Sequence, residues 1–277
     1  MLKHQRSCCV AHSQGEFRAG NSKIIVILSL LLSVILMPVS HGQTIRFAHC
    51  LAGCPTGASD TNDIIARAIY TLSFNNQTRV ADWVSYIVTA GSIGVATNLS
   101  REPQADPFVR GTLNQGDYSN VIAEFNLERN YFAPIVSFAG TPYWSDTNYL
   151  TNMVPRNENL NRGAWYGLEW AVRNLANRTE ALYVVTGPIY DSEKPQQFLA
   201  TTKQHKVPSG FFKVIATTNG QMSVFSFDQD LPFHVHHCKQ LASLEDVERL
   251  TGLEFFPEAP TWPSGNLNQQ LGCFNSE

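Results

Sequence analysis

Four short runs of β-branched and aromatic residues, separated by polar segments, predict β-strands. They lie at residues 82–89, 181–186, 211–217 and 222–227. The first run contains Trp83, Val84, Tyr86, Ile87 and Val88, and the other three have the continuous apolar character of strands buried in a sheet. Residues 90–126 are polar and rich in Gly, Asn and Pro, which predicts a region that is mostly loop.

Three further segments have the spacing or the end signals of helices. The clearest is residues 161–177, where apolar residues recur at helical spacing: Trp165, Leu168, Val172 and Leu175. A short helix is predicted at residues 59–70 with Ser59 or Asp60 as its N-cap, and residues 243–246 (Ser-Leu-Glu-Asp) open a last helix with a capping-box pattern. Strands before and after a central helix predict an α+β domain with a largely antiparallel sheet.

The first 42 residues have the pattern of a secretory signal peptide. Four Lys and Arg residues precede a 14-residue apolar run at 24–37, which is interrupted only by two serines and is followed by Pro38, Ser40 and Gly42. At a rise of about 1.5 Å per residue this run is too short to cross a hydrocarbon core of about 30 Å. We therefore predict a signal peptide at 1–42 and one domain at 43–277. An anchor that stays in the membrane is the alternative, because the segment before the apolar run is long.

Composition indicates a folded domain rather than a disordered or fibrous chain, since 43% of the residues are hydrophobic, 11% aromatic and 16% charged. The predicted signal holds four of the 20 Lys and Arg residues and one of the 23 Asp and Glu residues, so the remaining chain has a net charge of −6. A protein that coats nucleic acid through its bulk charge is strongly basic. Any phosphate binding here must therefore come from a few placed arginines.

Four cysteines remain after signal removal: Cys50, Cys54, Cys238 and Cys273. An even number in an exported chain indicates two disulfides, but four cysteines permit three pairings and the spacing alone does not choose between them. A zinc site made of all four thiolates is the alternative, although the chain contains only one close pair.

A polar stripe lies along the central helix. Asn161, Trp165, Glu169 and Arg173 recur every four residues, which places them on one helical face. An amide oxygen, a carboxylate and a guanidinium on one stripe can hold a hydrated Mg²⁺ beside a phosphate, and Mg²⁺ needs few direct protein ligands because it keeps most of its waters. The alternative is a solvated polar face with an ordinary Glu169–Arg173 pair.

Several stretches in combination resemble the secreted DNA/RNA non-specific endonucleases of the ββα-metal class. They are residues 74–76 (Phe-Asn-Asn), 81–84 (Ala-Asp-Trp-Val), 137–144 (Ser-Phe-Ala-Gly-Thr-Pro-Tyr-Trp), 151–155 (Thr-Asn-Met-Val-Pro), 160–165 (Leu-Asn-Arg-Gly-Ala-Trp), 186–190 (Thr-Gly-Pro-Ile-Tyr) and 207–210 (Val-Pro-Ser-Gly). The resemblance spans residues 74–257, and it implies a ββα-metal endonuclease fold in which helices flank the central sheet. It also implies the pairing Cys50–Cys54 and Cys238–Cys273, which follows the two short-range disulfides of the family.

The resemblance assigns the helix residues to a metal and phosphate site. By their match to the family, Asn161 binds Mg²⁺ directly, with Mn²⁺ as a second candidate ion, and Glu169 acts on the metal through a water. Arg173 binds phosphate. Arg101, five residues before the Asp-Pro pair at 106–107, matches an upstream arginine of the family that contacts phosphate.

The central motif of the family, Asp-Arg-Gly-His, is altered in this chain. The matching residues are Glu128, Arg129, Asn130 and Tyr131. Arg129 is identical to the arginine of the motif, and the resemblance assigns it phosphate binding and a catalytic function. Asn130 stands where the family has glycine, and asparagine tolerates a left-handed backbone there. Tyr131 stands where the family has its general-base histidine. Because a phenol has a pKa near 10, only about one part in a thousand is ionised at pH 7. A nearby Mg²⁺ and two arginines can depress that pKa, but even so we expect a large loss of rate.

The leading hypothesis is an exported Mg²⁺-dependent endonuclease that cleaves DNA and RNA, single- or double-stranded, without base preference. The main alternative is a catalytically impaired relative that acts as a nucleic-acid-binding protein, and a third is a structural domain. We expect a secreted or periplasmic protein with no membrane attachment after signal cleavage, and a homodimer is a candidate assembly. His234 and His236 resemble a metal pair on a strand, but the family has no site there and we assign them no role.

Overall fold

Eleven strands lie in the part of the chain that the computed structural model describes, which is residues 46–109, 111–112, 126–199, 201, 205–259 and 264–274. They are β1 (Asp63–Ala66), β2 (Tyr70–Asn75), β3 (Val80–Val88), β4 (Leu127–Tyr131), β5 (Met153–Asn157), β6 (Leu182–Ile189), β7 (Gln197–Leu199), β8 (His205–Val207), β9 (Gly210–Ala216), β10 (Met222–Asp228) and β11 (Leu241–Ala242). Seven of them form a sheet in the order β1-β2-β3-β6-β9-β10-β11, and every neighbouring pair is antiparallel. The predicted α+β class with a largely antiparallel sheet is confirmed.

The described residues contain three α-helical segments: α1 (Glu158–Leu160), α2 (Tyr166–Ala176) and α3 (Leu244–Thr251). Short 3-10 helices lie at Ile135–Ser137, Trp144–Asn148, Leu150–Asn152 and His237–Gln240. The predicted last helix is confirmed as α3, because the Ser243 hydroxyl accepts a hydrogen bond from the backbone N–H of Asp246 at 3.0 Å and Gly252 ends the helix with φ 71°. Within the predicted loop at 90–126, the described residues form no helix or strand, and residues 110 and 113–125 lie outside the described part.

The helix predicted at residues 59–70 is wrong, because this segment forms β1 and its hairpin with β2. Ile64 is 51% exposed and Ile65 is 3% exposed, which is the alternation of a strand. The hydroxyl of Ser59 accepts a hydrogen bond from the backbone N–H of Thr61. The residues that resemble a helix cap therefore close only a local turn.

Both faces of the large sheet are covered by apolar side chains, and two consecutive residues of β9 show this. Phe211 packs edge-on against Trp165 with ring centroids 5.8 Å apart, in the core cluster that lies under α2. Phe212 points to the opposite face and meets Phe255 at 5.4 Å in a second cluster. Because α2 buries Leu168 and its apolar neighbours in the first cluster, its polar side chains have a fixed position relative to the sheet.

A π-helical turn, Asn161–Trp165, joins α1 to α2, so the predicted helix at 161–177 is regular only from Tyr166 onward. Gly163 lies in this turn with φ −94° and ψ −112°. A Cβ atom at Gly163 would lie 2.5 Å from the carbonyl oxygen of Phe233, so only glycine permits this close approach. The four-residue repeat from Asn161 to Arg173 therefore crosses this turn and does not lie on one regular α-helix.

The described part of the chain contains two disulfides, Cys50–Cys54 and Cys238–Cys273. The pairing implied by the family resemblance is therefore confirmed, and the alternative of a four-thiolate zinc site is wrong. No helix in the described ranges is long and apolar enough to span a membrane. The signal peptide predicted at 1–42 lies outside the described residues and stays a prediction.

Candidate active site

The candidate site is built on the β4–β5 pair and the helix that follows it. β4 and β5 are antiparallel, with Glu128 opposite Arg156 and Tyr131 opposite Met153. β5 leads directly into α1 and then, through the π-helical turn, into α2. This connection brings the side chains of β4 next to Asn161.

Asn161 lies between a carboxylate and a guanidinium. Its Nδ2 donates to Glu128 Oε2 at 2.9 Å, and its Oδ1 accepts from Arg156 Nη1 at 3.4 Å. Arg162 forms ion pairs with Glu128 and, one turn back along the chain, with Glu158. The amide of Asn161 is therefore oriented by two neighbours, with its oxygen directed toward Arg156.

Glu169 is surrounded by donors. Its Oε1 accepts from the indole Nε1 of Trp165 at 2.7 Å and from Lys213 Nζ at 3.4 Å, while its Oε2 lies 3.8 Å from Arg173 Nη1. The side chains of Glu169 and Arg173 are only 12% and 10% exposed. The predicted i,i+4 pair is thus present, but it is mostly buried and does not form a solvated polar face. Glu169 is held in one orientation by the groups around it.

Two buried cations beneath the site, Arg156 and Lys213, are not identified by the sequence reasoning. The Arg156 guanidinium carbon lies 3.8 Å from the centre of the Trp165 ring and 4.7 Å from that of Phe211, and Lys213 Nζ lies 4.1 Å from the Trp165 ring. Burial lowers the pKa of Arg156 to about 9 and that of Lys213 to about 8, so both are mostly protonated at pH 7. In the sequence, each of these two residues is a single charge inside an apolar strand. A buried charge needs a partner, so this pattern could have identified them.

Arg101 and Arg129, two of the predicted phosphate ligands, lie together. Arg129 Nη2 donates to the carbonyl oxygen of Arg101 at 3.1 Å, and Arg129 Nε is buried without a hydrogen-bond partner in the described part of the chain. The loop of Arg101 is anchored further on by Asp106, whose carboxylate oxygens accept from Arg67 and from Thr151, each at 2.6 Å. The exposed Arg101 side chain therefore stands on a well-fixed backbone.

Tyr131 ends β4 and is half-buried against Leu150 and Met153. The preceding residue, Asn130, pairs with Val154 in regular register and has no positive φ. Asn130 therefore does not adopt the left-handed backbone that an asparagine in place of glycine could accommodate. A side chain is accommodated there without backbone strain, so replacing a glycine by asparagine does not by itself disturb β4.

The side-chain oxygens that β4 and the following helix carry suit a divalent cation such as Mg²⁺. An amide oxygen from Asn161 and carboxylate oxygens from Glu128 and Glu169 are the hard ligands that Mg²⁺ prefers, and Mg²⁺ accepts one or two protein ligands together with waters. The residues therefore fit the ion, although Arg156 already donates to the amide oxygen.

The histidines near the second disulfide form a separate group. His237 Nε2 lies 3.0 Å from the carbonyl oxygen of Leu271, and His236 Nδ1 accepts from the backbone N–H of Cys238 at 3.2 Å. Atoms of these two histidines and of Cys238 lie within 4.8 Å of one another, but the sulfur of Cys238 is bonded to Cys273 and is not a thiolate ligand. The local contacts of these histidines are those of residues that pack around the disulfide.

Two antiparallel strands followed by a helix, here β4, β5 and α2, are the arrangement from which the ββα-metal class takes its name. The family model for DNA/RNA non-specific endonucleases matches residues 50–261. The chain belongs to this family of metal-dependent phosphodiester hydrolases.

Individual relatives support this assignment over most of their length. A nuclease of Serratia marcescens is 32% identical over 260 residues, which cover 91% of this chain and 95% of the relative. Nuclease C1 of Cunninghamella echinulata var. echinulata is 29% identical and covers 76% of this chain and 89% of the relative. The mitochondrial endonuclease G of Bos taurus is 29% identical over 69% of this chain.

A solved structure shows the same fold. A chain from the crystal structure of the EndoG/EndoGI complex superposes with a TM-score of 0.64 at 24% identity, and the match covers 73% of this chain and 89% of the other. The predicted ββα-metal fold is therefore confirmed.

Proposed function

We propose that this protein is an exported, Mg²⁺-dependent endonuclease that hydrolyses phosphodiester bonds of DNA and RNA without base preference. The observation that carries the proposal is that one β4–β5–helix unit holds the Asn161–Glu128 hydrogen bond and the Glu169–Arg173 ion pair, with Arg129 next to Glu128 on β4. Membership of the non-specific endonuclease family supports the same reaction. Contacts restricted to phosphates and sugars would make cleavage independent of base sequence.

The arginines bind the substrate. Arg101 and Arg129 lie side by side at one edge of the site and Arg173 belongs to α2, so a nucleic-acid strand would meet guanidinium groups from a loop, a strand and a helix. Arginine binds phosphate oxygens in a bidentate manner, which positions the strand and neutralises charge that develops in the transition state. The net charge of −6 for the chain after residue 42 makes these local cations necessary.

The oxygen donors hold the cation. Asn161 would bind it directly, and Glu169, fixed by Trp165 and Lys213, would orient a water of the cation. When bound, Mg²⁺ supplies Lewis-acid stabilisation of the leaving oxygen, and Mn²⁺ can serve the same function. Glu128 keeps the Asn161 amide in position through its 2.9 Å hydrogen bond.

Tyr131 favours a second candidate function, namely nucleic-acid binding with little hydrolysis. The position that carries the general-base histidine in the family holds a phenol, which is a poor base at neutral pH. Under this alternative the arginines still bind nucleic acid while the rate of cleavage is low.

A plasmid-nicking assay with the purified protein, with Mg²⁺ and with EDTA, discriminates between the two functions. The proposal expects conversion of supercoiled to open-circular plasmid with Mg²⁺ and none with EDTA, and hydrolysis of RNA under the same conditions. Binding of the plasmid in a mobility-shift assay without any Mg²⁺-dependent nicking would favour the alternative.

Export is proposed from the N-terminal sequence pattern at residues 1–42. We expect the mature protein to begin near residue 43 and to occur in the periplasm or the medium, free of the membrane. N-terminal sequencing of protein recovered from each fraction tests this, and a chain that keeps its first 42 residues in the membrane fraction would contradict it. Sedimentation of the mature protein tests whether it forms a homodimer.

A further inference from the structure

We propose that Arg156 competes with the divalent cation for the amide oxygen of Asn161, so that this site binds its cation more weakly than the same site would without the guanidinium. The inference rests on the proposed function of Asn161 as a metal ligand. It concerns a residue to which neither the family match nor the sequence reasoning gives a role.

Arg156 is fully buried and contacts Asn161. Its Nη1 donates to Asn161 Oδ1 at 3.4 Å and its Nη2 to the carbonyl oxygen of Tyr131 at 3.5 Å. Both contacts are long, and Nε is buried without a hydrogen-bond partner among the residues that the structure describes. A guanidinium has five N–H donors, so this one is poorly satisfied and gains from any nearby oxygen.

The guanidinium has little freedom to withdraw. It lies 3.8 Å from the centre of the Trp165 ring and 4.7 Å from that of Phe211, and both rings are buried in the core under α2. A cation that takes the oxygen of Asn161 must therefore displace a donor that stays close, or rotate the amide away from Glu128. Either change costs free energy that is subtracted from cation binding.

Charge acts in the same direction. Lys213 and Arg173 pair with Glu169, and Arg156 interacts electrostatically with the same carboxylate, while Glu128 is already paired with Arg162. Like charges a few ångströms apart in a poorly hydrated site repel each other strongly. Among these groups, Arg156 is the one whose hydrogen bond ends on the proposed ligand atom.

The test measures cation binding directly, by titrating Mn²⁺ into the purified protein without nucleic acid and following free Mn²⁺ by electron paramagnetic resonance. Arg156→Gln should bind Mn²⁺ about tenfold or more tightly than the parent, because a unit charge beside the ligand atom is removed. Arg156→Met, which also removes the charge and fills more of the buried space, should show the same gain. Arg156→Lys, which keeps a charge, should stay close to the parent.

Two further variants test whether a gain in Mn²⁺ affinity depends on the position of the charge and on Asn161. The exposed Arg178, two residues after α2, donates from Nε to the carbonyl oxygen of Asn174 at 3.2 Å, and Arg178→Gln should leave Mn²⁺ affinity unchanged. Adding Asn161→Ala to Arg156→Gln should abolish the gain. The proposal is overturned if the folded Gln and Met variants bind Mn²⁺ no more tightly than the parent, if the Lys variant gains as much as they do, or if the gain persists without Asn161.

Failure of this inference is distinguishable from failure of the proposed function. A parent protein that nicks plasmid with Mg²⁺, together with unchanged Mn²⁺ affinity in the Arg156 variants, contradicts the competition alone. A parent that never nicks plasmid, together with an Asn161-dependent gain of Mn²⁺ affinity in Arg156→Gln, contradicts hydrolysis and supports the competition.

Discussion

Replacing Tyr131 by histidine should raise the rate of cleavage. In the family this position carries the general base, and a neutral imidazole with a pKa near 6.5 suits that function at pH 7. A positioned general base contributes a factor of about 10²–10⁴ in rate, which corresponds to about 2.7–5.5 kcal/mol of activation free energy. In the parent, by comparison, only the Tyr131 phenol or the remaining charged groups can promote cleavage.

The structure indicates what the substitution costs. Tyr131 is half-buried against Leu150 and Met153, so a smaller imidazole loses part of this packing. We expect a loss of about 1–2 kcal/mol of stability, as for other partial losses of buried apolar contact, and a fall in Tm of a few degrees. Because β4 is regular at Asn130, the single change is a fair test, and Asn130→Gly with Tyr131→His serves as the version closest to the family motif.

The assay is the initial rate of plasmid nicking at saturating Mg²⁺ between pH 5.5 and 9, for the parent, Tyr131→His, Tyr131→Phe and the double variant. Tyr131→His should be faster than the parent, with a rate that rises as imidazole loses its proton near pH 6.5. If Tyr131→Phe abolishes the activity of the parent, the phenol itself is the base. Folded histidine variants that bind Mn²⁺ yet cleave no faster than the parent would refute the placement of residue 131 beside the attacked phosphorus.

Two further predictions concern stability. Removal of the Cys238–Cys273 disulfide by the double change to serine should lower the free energy of unfolding by about 2–5 kcal/mol in urea denaturation, and an unchanged midpoint would contradict this. Because burial lowers the pKa of Lys213 to about 8 from an unfolded value near 10.5, the unfolded chain binds more protons between these values, so this residue should make stability rise from about pH 8 to 10.5. Tm measured against pH should rise more steeply across that range in the parent than in Lys213→Met, and parallel curves would contradict the assignment.

The fold was largely predictable because its strongest sequence signals are also its main packing elements. The apolar runs at 211–217 and 222–227 become β9 and β10, and the helical spacing of Leu168, Val172 and Leu175 becomes the buried side of α2. The segment at 59–70 was misassigned because its turn residues satisfy only local hydrogen bonds, whereas the pairing with β2 decides its conformation.

The candidate site was predictable only where its residues follow a motif or a helical repeat. Arg156 and Lys213 lie on strands far apart in sequence, and their proximity depends on how β5 and β9 pack around Trp165. No local pattern contains that information. The π-helical turn at Gly163 was missed for the same reason, because it lies where Phe233 from another segment approaches the backbone closely.

The central claim is that Asn161 holds the cation on which phosphodiester hydrolysis depends. The most direct test compares the Mg²⁺-dependent plasmid nicking of Asn161→Ala with that of Asn159→Ala, which changes an exposed asparagine two residues away. We predict that Asn161→Ala folds, binds plasmid and loses Mg²⁺-dependent nicking, while Asn159→Ala nicks at the rate of the parent. An Asn161→Ala protein that nicks plasmid at the parental rate under limiting Mg²⁺ would contradict it.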